Sequence, residues 1–286
     1  MNLRRVSQSA LAGSLLLSAG AYLSFTLDGL QLRETARRVV GTTTSATNKT
    51  LALLDWVHAI PQTAENRRYF LIPRLRATPM QVLESGGDCA DKSRLLTALL
   101  REVGVGSTMV MLFDPRSGHA THTVVCAFLE IGSTMVVDPA YGLSFPDGDT
   151  GRYLGLAQLR RHPARLDARL RELRATAGRR DPVQVYDPVA AGYAMAGSVN
   201  WNKNALTRGV RDVLLPSWGE GLYAMARPRA LEEPKLLVAG LGLALALSML
   251  IVRTAVGRVR KLASSCVPSA ERRPEADHSA WKAVGI

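Results

Sequence analysis

The chain has 286 residues, of which 47% are hydrophobic and only 6% aromatic, and its 36 Lys and Arg against 24 Asp and Glu give a formal net charge of +12. The cations are dispersed or sit beside apolar runs, with no RNA-binding signature and no basic patch interleaved with aromatics, which excludes a dedicated nucleic-acid binder and leaves an anionic lipid or polysaccharide surface as the fitting counterpart. Three cysteines (Cys89, Cys126, Cys266) exclude a disulfide scaffold and suit a reactive thiol with bystanders.

Residues Ala10 to Leu27 form an uncharged apolar run behind Arg4 and Arg5. The run reads either as a signal peptide with a small-residue site at Ala19-Gly20-Ala21 or as an uncleaved anchor. Its continuation through Tyr22, Leu23, Phe25 and Leu27 favours the anchor, near the minimum length for a span. Leu30 to Val40 and Thr50 to Ile60 have helical periodicity on either side of a turn at Gly41, and Pro61 and Pro73 punctuate the next segment. Met80 to Leu83 leads into Gly86-Gly87. Cys89 to Val103 predicts a helix with Leu95, Leu96, Leu99, Leu100 and Val103 on its apolar face, Lys92, Arg94 and Arg101 outside it, and Gly104 as its stop.

Three strands come next, at Ser107 to Phe113, His122 to Glu130 and Thr134 to Asp138; the short second connection implies an antiparallel hairpin. Gly155 to Leu173 predicts a basic helix interrupted at Pro163, with Arg165, Arg169 and Arg171 on a solvated face. Pro182 to Asn204 reads as irregular and Leu206 to Leu215 as a short helix. Leu236 to Val252 is wholly uncharged between Lys235 and Arg253 and predicts a transmembrane helix. With Arg4, Arg5, Arg253, Arg258, Arg260 and Lys261 at the membrane edges, both ends are expected in the cytoplasm. The organisation is then a cytoplasmic N-terminus over 1–9, an anchor over 10–27, an extracytoplasmic (periplasmic) domain over 28–234, an inner-membrane span over 235–253 and a cytoplasmic tail over 254–286, disordered from Cys266 onward.

The chemistry concentrates in Gly86-Gly87-Asp88-Cys89. A thiol reacts as thiolate, and the unpaired N–H groups and dipole at a helix N-terminus favour negative charge there and can donate to a developing oxyanion. His122 opens a strand whose alternation puts His122, Val124, Cys126 and Phe128 on one face, which is taken to receive the cysteine helix. His119, in the preceding loop and of opposite parity, is the rival base. Asp138 ends the next strand, beside the start of its hairpin neighbour, where an acid can fix an imidazole tautomer. Cys126 would then share a face with Cys89, and a Cys89–Cys126 disulfide would silence the nucleophile. Gln81 stands upstream as a candidate oxyanion donor, and nothing supplies a fourth ligand for a metal at Cys89, His122 and Cys126.

The stretch from Gly87-Asp88-Cys89-Ala90-Asp91-Lys92-Ser93 through Gly104, then His122-Thr-Val-Val, then Val137-Asp138-Pro139, resembles the transglutaminase-like superfamily over residues 78–142. The resemblance implies a papain-like α+β core, a cysteine helix packed on an antiparallel sheet, with Cys89 as nucleophile, His122 as general base and acid, and Asp138 as the orienting group. It also implies amide or ester hydrolysis or acyl transfer, without cofactor or metal. Family members often carry an aromatic two residues after the histidine and a glutamate four after, where this chain has Val124 and Cys126. Asn200-Trp201-Asn202-Lys203 and the flanking apolar segments look similar to membrane-anchored members found with exopolysaccharide machinery. Membrane lipid and a protein, peptide or acidic polysaccharide substrate are the expected partners. A non-catalytic scaffold in an envelope complex is the alternative.

Overall fold

A computed structural model describes residues 3–63, 68–148, 150–179 and 181–265; Cys266 and the tail read as disordered lie outside them. The helices in chain order are α1 (Leu3–Val40), α2 (Ala46–His58), α3 (Pro79–Ser85), α4 (Cys89–Glu102), α5 (Leu156–Arg161), α6 (Pro163–Thr176), α7 (Asp187–Ala190), α8 (Ala205–Trp218), α9 (Arg229–Glu232) and α10 (Pro234–Ser265). The strands β1 (Gly106–Phe113), β2 (Ala120–Phe128), β3 (Thr134–Asp138) and β4 (Leu143–Ser144) form one antiparallel meander in sequence order. β4, only two residues long, carries no alternation to read. The first apolar run and the helix expected from Leu30 are one continuous helix: Asp28 and Gly29 between them are weak helix formers, but without a proline their cost of about 1 kcal/mol does not end it.

Among the described residues, two helices are long and apolar enough to cross a membrane, Gln8–Val40 and Pro234–Val259. The chain divides into two compact units. In the first, residues 1–16 with 242–286, the Ser14 hydroxyl donates to the Gly242 carbonyl at 2.7 Å. The second, Leu17–Leu241, contains the sheet.

Each sheet face has its own core. Leu95, Leu96, Leu99 and Leu100 of α4 and Leu53, Leu54 and Val57 of α2 pack on Val125, Ala127, Met135 and Val137. Val124, Cys126 and Val136 face the other way, onto Phe145 and the leucines of α5 and α6. The alternation is thus the expected one, but the face that receives the cysteine helix is the opposite of the one inferred. Cys126 is fully buried on the far face of the sheet, is not disulfide-bonded, and burial pushes its thiol up to about 12. It is a core residue and no neighbour of Cys89.

Lys92 also departs from expectation. It is 1% exposed, and its ammonium donates to the His58 carbonyl at 3.0 Å, tying α4 to the end of α2. Burial lowers its pKa and the nearby Asp138 charge raises it in part. The basic residues of α6 conform better: Arg165 meets Asp147 at 3.6 Å and Arg169 meets Glu172 at 2.9 Å.

Candidate active site

The turn before Cys89 is dictated by glycine. Gly86 has φ 76° and ψ −171°, a region open to glycine alone, and a Cβ there would collide with the Pro61 carbonyl. At Gly87 a Cβ would lie 2.5 Å from that of Asp91. The backbone is held down by the Gly87 amide donating to Pro61 and the Thr63 amide donating to Gly87. Asp88 then caps α4: its carboxylate accepts from the Asp91 amide at 3.0 Å, and the Asp91 carboxylate accepts from the Asp88 amide at 3.4 Å. This reciprocal cap fixes Cys89 as the first helical residue. Gly86→Ala is therefore expected to destabilise the fold by about 2 kcal/mol or more, from backbone strain plus the clash. A chemical-denaturation midpoint within error of the parent protein would contradict that account of the turn.

α4 is set against β2 by the buried Ser93 hydroxyl, which donates to the Thr123 carbonyl at 3.0 Å, one residue from His122. His122 is buried, and Cys89, half-buried, lies within hydrogen-bonding reach of it. The His122 Nε2–H donates to Asp138 Oδ2 at 2.7 Å. With Nε2 engaged, Nδ1 is the ring nitrogen left for a thiol or a substrate. The β1–β2 register shifts between Leu112 and Phe113, beside His122, and such an irregularity re-aims side chains at a strand end. His119 sits in the hairpin turn, exposed, with its carbonyl accepting from the Asp114 amide.

Asp138 is 0% exposed and saturated with donors. Besides His122, Oδ2 accepts from the Tyr186 hydroxyl at 2.8 Å, and Oδ1 accepts from the amides of Ala140 at 3.0 Å and Tyr141 at 3.2 Å. Tyr186 meets Tyr193 hydroxyl to hydroxyl at 3.0 Å. Burial, then the Asp138 charge, raises both phenols, so they remain neutral donors. Tyr141 sets its ring edgewise on His122 at 5.4 Å between centroids and on Tyr186 at 4.9 Å. Burial pulls the His122 pKa down, but the hydrogen bond and charge of Asp138, followed by those of Cys89, outweigh it and raise it to about 10.

Gln81 has its side-chain amide engaged away from the candidate oxyanion role. It completes the cap of α3, accepting from the Thr78 amide and donating to the Tyr69 carbonyl. Tyr141, Tyr186 and Tyr193 were not foreseen from the sequence. Tyr141 lies three residues beyond Asp138, which is a usable signal; Tyr186 and Tyr193 lie in a run of short helical turns without periodicity.

Among solved structures the chain is similar to a putative cysteine protease from Cytophaga hutchinsonii, at 15% identity over 44% of this chain and 42% of that one, with a TM-score of 0.34. It is also similar to a putative protease from Parabacteroides distasonis, at 16% identity over 49% of this chain and 30% of that one, with a TM-score of 0.30. The chain thus spans less than half the length of either. No curated protein matches it. The family model of the transglutaminase-like superfamily matches residues 33–139, a segment that runs from the end of α1 to the residue after Asp138. Over residues 33–139, then, the chain is similar to the transglutaminase-like superfamily.

Proposed function

We propose that the chain is a membrane-anchored thiol hydrolase or acyl transferase acting on an amide or ester outside the cytoplasmic membrane, with Cys89 as nucleophile, His122 as proton carrier and Asp138 as its orienting group. The single observation that carries the reading is His122, held by a fully buried carboxylate through Nε2 while its other nitrogen is left to Cys89, the first residue of α4. Cys89 Sγ attacks the carbonyl carbon, a C–S bond forms, and the carbonyl electron pair moves to oxygen. The Cys89 amide, which has no acceptor within its own helix, donates to that oxyanion. As the tetrahedral adduct collapses, the C–N or C–O bond breaks and the His122 imidazolium gives its proton to the leaving group. Water, or an amine in the transfer case, then attacks the thioester carbon and gives its proton to His122; as this second adduct collapses the C–S bond breaks, and Cys89 leaves as thiolate beside the His122 imidazolium. Val124 and Cys126, the sequence grounds for a non-catalytic scaffold, are core residues of the far sheet face and do not bear on the site.

The test is thiol labelling of the full chain in spheroplasts with a membrane-impermeant maleimide and, after lysis, with iodoacetamide. Cys89 is expected to react at least ~100-fold faster than the buried Cys126, and His122→Ala is expected to slow Cys89 about tenfold or more near pH 6. A His122-independent rate would mean an unactivated thiol and would sink the enzymatic reading. Labelling by the impermeant reagent only after lysis would overturn the orientation and leave the chemistry standing.

A further inference from the structure

The loop from Arg68 to Arg76 presents apolar and cationic side chains together on the surface of the second unit. It strings Tyr69-Phe70-Leu71-Ile72 together, and three of these are exposed: Tyr69 44%, Leu71 58% and Ile72 51%. Arg74 and Arg76 come after them, both exposed. The loop is closed on itself, with the Phe70 amide donating to the Arg76 carbonyl at 2.9 Å. Leu71 and Arg76 have φ of 64° and 62°, positive values that cost a residue with a Cβ and persist only where the surroundings enforce them. A soluble surface has little reason to hold four consecutive apolar side chains in a strained loop with three of them in water.

The side chains beneath the loop identify its occupant. Phe70 and Leu75 pack on Ala21 of α1 and on Val238 and Ala239 of α10, the two helices apolar enough to cross a membrane. At the same level the Lys235 ammonium is pinned to Asp28 at 2.6 Å and to the Ser24 hydroxyl at 2.7 Å, and it lies 5.9 Å from the Phe70 ring centroid. The Asp28–Lys235 pair marks where charge ends and the apolar stretches begin. Ala21 and Val238 lie beyond it on the apolar side, about two turns along α1 and one turn along α10.

We propose that the Arg68–Arg76 loop is a bilayer-docking surface, with Leu71 and Ile72 entering the boundary between phospholipid headgroups and acyl chains, Tyr69 at headgroup level and Arg74 and Arg76 against lipid phosphates. The proposal rests on the membrane-anchored reading above. Aromatic and cationic residues at this depth, flanking aliphatic side chains, are the composition an interface selects. The loop leads through α3, seven residues long, directly to Gly86-Gly87-Cys89, so its docking fixes the element before the nucleophile relative to the membrane plane.

Photo-crosslinking tests this with the full chain in phosphatidylethanolamine–phosphatidylglycerol bilayers. Benzoylphenylalanine is placed by Leu71→benzoylphenylalanine, by Ile72→benzoylphenylalanine in case the first disturbs the loop, and by Leu23→benzoylphenylalanine as the report on α1; Val185, exposed in the sheet-bearing unit, is the control position. Adducts heavier by one phospholipid at 71 or 72 and at 23, but not at 185, support the proposal. A lipid adduct at 23 with none at 71 or 72, or an adduct there to a second copy of the chain, overturns it while anchoring survives. No lipid adduct at any position overturns the anchored reading itself.

Discussion

Cys89→Ser is expected to lower kcat/KM on an activated ester such as p-nitrophenyl acetate by at least about a thousandfold, with the fold unchanged. That loss corresponds to roughly 4 kcal/mol of transition-state stabilisation. The near-isosteric swap fails because of the state of His122. Its pKa is raised to about 10, so at neutral pH the ring is already protonated. A protonated imidazole is an acid ready for the leaving group and suits a nucleophile that has given up its proton; a serine hydroxyl keeps its proton and needs a base that His122 in this state is not. The residual rate of Cys89→Ser should therefore climb with alkaline pH, as His122 loses its proton and becomes a base. The rate of the parent protein should decline as its acid is lost. Acid quench followed by mass spectrometry should find an acetyl adduct on Cys89 in the parent protein. An adduct mapping to another residue, or a serine variant of undiminished rate, would remove Cys89 from the chemistry.

The parts of the site that the sequence disclosed are those governed by local rules. The strand Thr134–Asp138 and the start of α4 at Cys89 are where turn chemistry and periodicity place them, since a Gly-Gly turn and an apolar stripe both act within a few residues. What failed was long-range. Strand parity correctly divides Val124 and Cys126 from Val125 and Ala127, yet it cannot say which face a distant helix will cover. α4 covers the face of Val125, and His122 is nevertheless within reach of Cys89, because it sits at the strand end, beside a register shift. Lys92 departs from its helix pattern for a related reason: its burial depends on the His58 carbonyl and the Asp138 charge, neither visible in that pattern. Tyr186, 48 residues from the carboxylate it supports, belongs to a segment whose short helical turns carry no repeat to read.

Asp138→Asn tests whether that buried carboxylate orients His122 or merely fills space. The amide can keep its oxygen on the Ala140 and Tyr141 amides, which turns its NH2 toward His122 and the Tyr186 hydroxyl. The ring must then present Nε2 as an acceptor and carry its proton on Nδ1, the tautomer unable to take a proton on the Cys89 side. A loss of about 10^3 to 10^4 in kcat is expected. Breaking a buried ion pair of this kind should also cost about 3 to 5 kcal/mol of stability at neutral pH. The pH dependence separates this from simple misfolding. Because the His122 pKa is raised in the folded state from 6.5 to about 10, its contribution to stability is complete below the unfolded value and is lost as pH rises through the folded one. Parent stability attributable to this pair should thus fall between pH 6.5 and 10. In Asp138→Asn the largest cause of the raised value is gone, burial opposes protonation, and the slope in that window should flatten. Thermal melts of the full chain in detergent across about pH 6 to 10 read the difference directly: equal slopes for parent and variant would show that Asp138 does not hold the His122 proton.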